Sequence, residues 1–262
     1  MELRTIKEEL GASIEFDLED IGYNNKIQEI GSLCEDISEN YRSLAICRLL
    51  LEADTDGFYH DLLRSAQLRL YYLTRCHHEK YLKNPRIIAS ESDSFFDALA
   101  VKDFDLAKRI AELSSNSWWP DDEYEEDFYY SHLVHKFIMS YPDWPDDIRV
   151  ILENFENSLQ GDKSARLDLC KGLVSIDQAA FDEAFYDLID ERKLQIERER
   201  EMALADEISF QVGQHVFIEG LALLRIAERI GLVVQQEYLY CPSLCSIPMK
   251  KSFPFDGYPR RN

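Results

Sequence analysis

The chain has 262 residues, of which 45% are apolar, and its formal charge is −21. That apolar content rules against a disordered chain and suffices for one large core or two small, closely packed domains. The acidity argues against nucleic acid and anionic membranes as partners, since both are polyanions, and it favours a basic protein.

The opening residues, Met1-Glu2-Leu3-Arg4-Thr5-Ile6-Lys7-Glu8-Glu9, lack the apolar core of a secretion signal, and no later run approaches the length that spans a bilayer. A cytoplasmic location is therefore expected. No proline precedes Pro85, so long helices are free to run through the first third of the chain. Ile27, Ile30, Leu33, Ile37, Leu44 and Leu51 recur near spacings of three, four and seven, as do Phe58, Leu62, Ala66, Leu70 and Leu73. Residues 1–90 are predicted to form a long-helix region that joins residues 91–262 in one compact unit.

Shorter helices are predicted next. Phe95 to Ala100 and Phe104 to Leu113 read as a helical hairpin, with Asp103 as the N-cap of the second helix. Eleven acids and two bases, Lys136 and Arg149, then lie between Asp121 and Glu156. Six of the seven residues from Asp121 to Asp127 are acidic. Trp118, Trp119, Tyr124, Phe128, Tyr129, Tyr130, Tyr141 and Trp144 surround them. One reading is a recognition surface, in which aromatics anchor and acids steer a basic partner. The other is an acidic helix start whose charges complement the helix dipole while its aromatics turn inward. The partner-binding candidates are Trp118, Trp119, Asp121, Asp122, Glu123, Tyr124, Glu125, Glu126, Asp127, Trp144, Asp146 and Asp147.

A second pair, Leu167 to Val174 and Ala179 to Ile189, has the rhythm of the first hairpin around Ser175-Ile176-Asp177, which suggests a repeated unit. Phe181, Phe185, Leu188, Ile189 and Ile196 form its apolar stripe. Arg192, Lys193, Arg198 and Arg200 alternate with Glu191, Glu197, Glu199 and Glu201, which reads as a salt-laced exposed face. One long helix is predicted from Asp206 to Gly231, with Gly231 as its left-handed cap. The most apolar stretch, Val216 to Ile226, is interrupted by Glu219 and Arg225 and reads as a buried helix. The tail carries Pro242, Pro248, Pro254 and Pro259, and a short edge strand at Val233-Val234 or Glu237 to Tyr240 is the most β structure expected. The predicted fold is all-α, a multi-helix array of antiparallel hairpins, roughly nine to eleven helices in all, with an irregular proline-containing C-terminal tail.

Motifs for chemistry are sparse. The sequence holds no glycine-rich phosphate loop, no G-x-S-x-G and no H-E-x-x-H. His132 and His135 are spaced to share a metal but lack an evident third ligand. His77-His78-Glu79 reads as a solvated helix end. Asp143, Asp146 and Asp147 have the character of magnesium ligands, yet no basic phosphate-binding group lies near them in sequence. The six cysteines are scattered, and Cys241 and Cys245 lack a second pair, so reduced packing thiols are expected. No catalytic residue, metal or cofactor is assigned.

The segment Val216 to Leu232, followed by Glu237-Tyr238-Leu239-Tyr240-Cys241-Pro242, resembles the closing segment of the immunity protein 49 family of bacterial polymorphic toxin systems. Phe96-Asp97-Ala98-Leu99, Asp103 to Ala111, the helix at Asp127-Phe128 and the segment Arg166 to Ile189 resemble earlier parts of that family. The resemblance runs from about residue 90 onward. It implies a helical, non-enzymatic antidote that binds a cognate toxin, of the kind often delivered by secretion machines and acting as a nuclease or nucleobase deaminase. A basic active-site groove would be complementary to this acidic chain. The alternatives are a helical-repeat scaffold or regulator with another basic partner, and a metal-dependent hydrolase. Oligomeric state is not legible.

Overall fold

The computed structural model describes residues 2–23, 26–144, 147–202 and 207–254. Three long helices open the chain. α1 (Leu3–Tyr23) buries Ile6, Leu10, Ile14 and Ile21, which lie on one helical face. α2 (Ile27–Glu52) packs against both α1 and α3 (Thr55–His78). Phe58, Leu62, Ala66, Leu70 and Leu73 are all buried on α3, as their spacing predicts. Leu51 is an exception to the predicted stripe of α2: it is 39% exposed, and Cys34, Tyr41, Ala45 and Cys47 fill the core instead.

A 3-10 turn at Pro85–Ile87 leads to α4 (Asp93–Ala100) and α5 (Phe104–Leu113). α6 (Glu125–Ser140), α7 (Asp147–Ser158), α8 (Ala165–Ser175) and α9 (Gln178–Glu201) follow. α10 (Ile208–Gly213) and α11 (Ile218–Arg229) precede a final 3-10 turn at Ser243–Ser246. The fold is all-α. Among the described residues there is no strand, and the β pairing is a single antiparallel bridge between Tyr238 and Cys241. No helix among them is long and apolar enough to cross a membrane.

Hairpin turns explain the antiparallel array. In α4–α5, Lys102 takes a left-handed φ of 65°, and the Asp103 carboxylate caps α5 by accepting from Leu106 N at 2.9 Å. In α8–α9, Ile176 takes a φ of 51°, and Asp177 accepts from Ala179 N at 3.0 Å and Ala180 N at 3.2 Å. In both, the Asp amide closes the preceding helix by donating to a carbonyl five residues back, Ala98 or Gly172, at 2.9 Å. The two hairpins thus share one turn design. Gly172 has a second role, because a Cβ there would fall 2.8 Å from Phe181 N, so the close approach of α8 and α9 requires glycine.

Ile176 is β-branched, 52% exposed and left-handed, a backbone region that costs such residues about 1–2 kcal/mol. Ile176→Gly is expected to raise stability by about 1 kcal/mol in urea denaturation. Unchanged or lower stability would show that contacts of the Ile176 side chain outweigh the backbone strain.

The structure corrects two further expectations. The helix predicted from Asp206 to Gly231 is broken between Gly213 and Ile218, where Phe217 N donates to Tyr240 O at 2.8 Å instead of continuing the helical ladder. Asp206 itself lies outside the described residues. The charged face of α9 is not laced by ion pairs among its own described residues. Arg192 bonds Gln195 and Gly213 O, Arg200 bonds Gln214, and Glu191 accepts from Ala165 N. The helix is therefore stitched to its neighbours through amides and main chain.

The charges that interrupt the apolar α11 segment act as joints. Arg225 is 3% exposed and donates to Cys245 O at 2.6 Å, tying the tail to the core. Glu219 reaches the site described next.

Candidate functional site

α6 begins at Glu125, so Glu125, Glu126 and Asp127 occupy its first turn, where carboxylates complement the unpaired amides and the helix dipole. The loop before it is closed by Glu123. Its carboxylate accepts from Ser90 Oγ at 2.7 Å, from Ser90 N at 3.3 Å and from Trp119 N at 3.2 Å. Its main-chain oxygen accepts from Trp118 Nε1 at 3.1 Å, and Trp119 Nε1 donates to Ser115 Oγ at 3.1 Å. Burial pushes the Glu123 carboxyl above its usual range against these donors. Glu123 and Trp119 are thus scaffold of the loop, while Asp121, Asp122 and Tyr124 face solvent, Tyr124 with 73% exposure.

Beside this loop lies a cleft of about 300 Å³ walled by residues 88–93, the start of α6, and Arg166 and Glu219. Asp122, Glu123, Tyr124 and Asp127 reach it, joined by Glu91, Asp93 and Glu219, which sequence reasoning did not select. Among the described residues, Arg166 is the one base in its lining. It is already committed: its fork grips Glu219 at 2.9 and 2.8 Å, and Nη1 reaches Asp127 at 3.3 Å. The guanidinium also lies 4.6 Å from the Tyr130 ring centroid, and Tyr130 donates its hydroxyl to Glu219 at 2.7 Å. Arg166 therefore organises the cleft without neutralising it, and six carboxylates face one guanidinium.

Trp144 and Asp147 sit elsewhere. They follow the far end of α6, which is about 24 Å long. Trp144 packs edge-on against Phe137 at 4.9 Å, and Asp147 pairs with Lys136 at 3.4 Å. Asp146 lies outside the described residues. The structure thus places the loop before α6 apart from the residues after it. The inward-turning reading holds for Phe128 and Tyr130, which are buried, but not for Tyr124 or Trp118.

No group of three or more His, Cys, Asp or Glu residues gathers as metal ligands among the described residues. His132 stacks on Phe128 at 5.2 Å and His135 packs edge-on against Phe95 at 4.4 Å, so both serve the aromatic core. The six thiols are free and buried, and burial raises their pKa values, that of Cys34 to about 12, which keeps them protonated and inert.

Burial also holds His135 neutral, with its pKa lowered to about 3 and further opposed by His132 and Arg69. The unfolded chain takes up this proton near pH 6.5 and the folded chain does not until near pH 3. Stability should therefore fall as pH drops through that window, by about 2 kcal/mol from this group between neutrality and pH 5. His135→Gln should flatten that slope in urea titrations. An equally steep slope in the variant would assign the acid sensitivity to other groups.

The profile of the family described as immunity protein 49 matches residues 83–244, a span that contains the cleft's loop, α6, Arg166 and Glu219. No curated protein and no solved structure matches the chain.

Proposed function

The chain belongs to the immunity protein 49 family, and on that premise we propose that it neutralises a partner toxin by seating its acidic cleft and the neighbouring loop on a basic active-site groove. A nuclease or nucleobase deaminase has such a groove, because it must hold a polyanionic substrate. The observation that carries this reading is the cleft itself. It presents carboxylates in excess of its one guanidinium, flanked by the exposed Tyr124 and Trp118. Tyrosine and tryptophan at the centre of an interface anchor it, and the acids around them steer association. The overall charge of −21 acts in the same direction at longer range. The mechanism is occlusion in the producing cell's cytoplasm and assigns no chemical step to this chain.

The test is co-expression with the toxin encoded beside it. A one-to-one complex by native mass spectrometry, dissociating as salt rises, is expected. A chain that emerges alone at low salt would overturn the reading.

A further inference from the structure

A second recess, of about 200 Å³, opens between α2, α3 and α4. Its interior wall includes the buried residues Ser38, Ser65, Arg69 and Ser94, and Glu39, Glu91 and Asp93 stand exposed at its rim. Most of its wall precedes residue 83 and so lies outside the segment matched by the family.

Arg69 is the unusual member. It is 6% exposed, and Nη1 donates to Arg86 O at 2.5 Å. Nε and Nη2 are buried and have no hydrogen-bond partner among the described residues. These two nitrogens form the side-on edge of the guanidinium, whose parallel N–H bonds match the two oxygens of a carboxylate. No acid among the described residues fills that role, and Glu91 on the rim acts on Arg69 only through its charge. Glu35 is held by Arg86 at 2.8 Å, and Asp93 and Asp97 are held by Arg42. A buried guanidinium with three of its five N–H donors unmatched is costly, and burial accordingly lowers the Arg69 pKa.

The rim narrows the class of ligand. Asp93 is neutralised by Arg42, but Glu39 and Glu91 are not paired among the described residues, and they repel a phosphate, which carries close to two charges, more than a carboxylate, which carries one. They attract a cation attached to that carboxylate. We propose that this recess binds a carboxylate bearing a cationic group a few bonds away, with the carboxylate on the Nε–Nη2 edge of Arg69 and the cation between Glu39 and Glu91. Both a free amino acid and an acidic residue beside a lysine in a protein segment present this chemistry.

The experiment follows the Arg69 Nε–H resonance in the full-length chain carrying isotope-labelled arginine. The probes are glycine, acetate, inorganic phosphate and a capped peptide with adjacent lysine and aspartate. Saturable shifts are expected with glycine or the peptide, each at least about tenfold tighter than acetate, and phosphate should be weaker still. Glycine binding without the peptide assigns a small molecule, and the converse assigns a protein segment. The exposed-residue variants Glu39→Gln and Glu91→Gln should remove the preference over acetate while leaving the fold intact. Arg69→Lys should abolish binding, because the ammonium lacks the fork. Absence of a saturable shift with any probe, or phosphate binding as tightly as glycine, would overturn the proposal whether or not the toxin reading holds.

Discussion

Replacing Asp97 with alanine is expected to lower the unfolding free energy by about 3–5 kcal/mol, the range seen when one partner of a buried ion pair is removed. Asp97 is fully buried on α4. It accepts from Arg42 Nε on α2 at 2.8 Å and from Ser65 Oγ on α3 at 2.5 Å, so one carboxylate ties three helices together. Without it, Arg42 keeps only the exposed Asp93, and the Ser65 hydroxyl is left with the longer contact to Ser94 Oγ at 3.2 Å. Asp97→Asn retains an acceptor oxygen and should lose less. For a chain of this size the alanine variant's thermal midpoint should fall by about 10 °C. A loss below about 1 kcal/mol would mean that Asp93 replaces Asp97 as the partner of Arg42.

The second large effect concerns association. Reversing Asp121, Asp122, Glu125 and Glu126 to lysine replaces four negative charges by four positive ones in the loop and the first turn of α6. Electrostatic steering raises on-rates by about 10- to 1,000-fold at low salt, so removing the greater part of it should slow association with the toxin by about 10- to 100-fold. Its dependence on ionic strength should flatten in parallel. Glu123 and Asp127 are left out because they hold the loop and Arg166, so changing them would confound folding with binding. Reversing Asp143 and Asp147, beyond the far end of α6, is the control for the equally sized pair Asp121 and Asp122, and should alter the rate less than that pair does. Equal losses from both pairs would show that net charge matters and the cleft does not.

Much of the fold was legible because helical spacing reports burial directly. The stripe from Phe181 to Ile196 and the cap at Asp103 follow from side-chain chemistry within one turn of helix. The break before Ile218 was not legible, since it depends on Tyr240, a residue distant in sequence that competes for the Phe217 amide. The site was half legible for the same reason. A run of acids is visible in sequence, whereas Glu91, Asp93 and Glu219 join Asp122 only because α4 packs on α11 and Tyr130 of α6 meets both, through Phe96 and Glu219. Nor could spacing separate Glu123, a loop clamp, from Asp122, an exposed neighbour of identical charge. Arg69 gave no sequence signal, because an arginine on a helix reads as surface until its neighbours are known.

The most direct test of the central claim is a titration of the neighbouring toxin's activity with this chain at several concentrations of the toxin's nucleic-acid substrate. Occlusion by the acidic cleft requires inhibition that saturates at one chain per toxin and is relieved by excess substrate. Full inhibition insensitive to substrate would contradict active-site occlusion, and undiminished toxin activity at any ratio would contradict the immunity role itself.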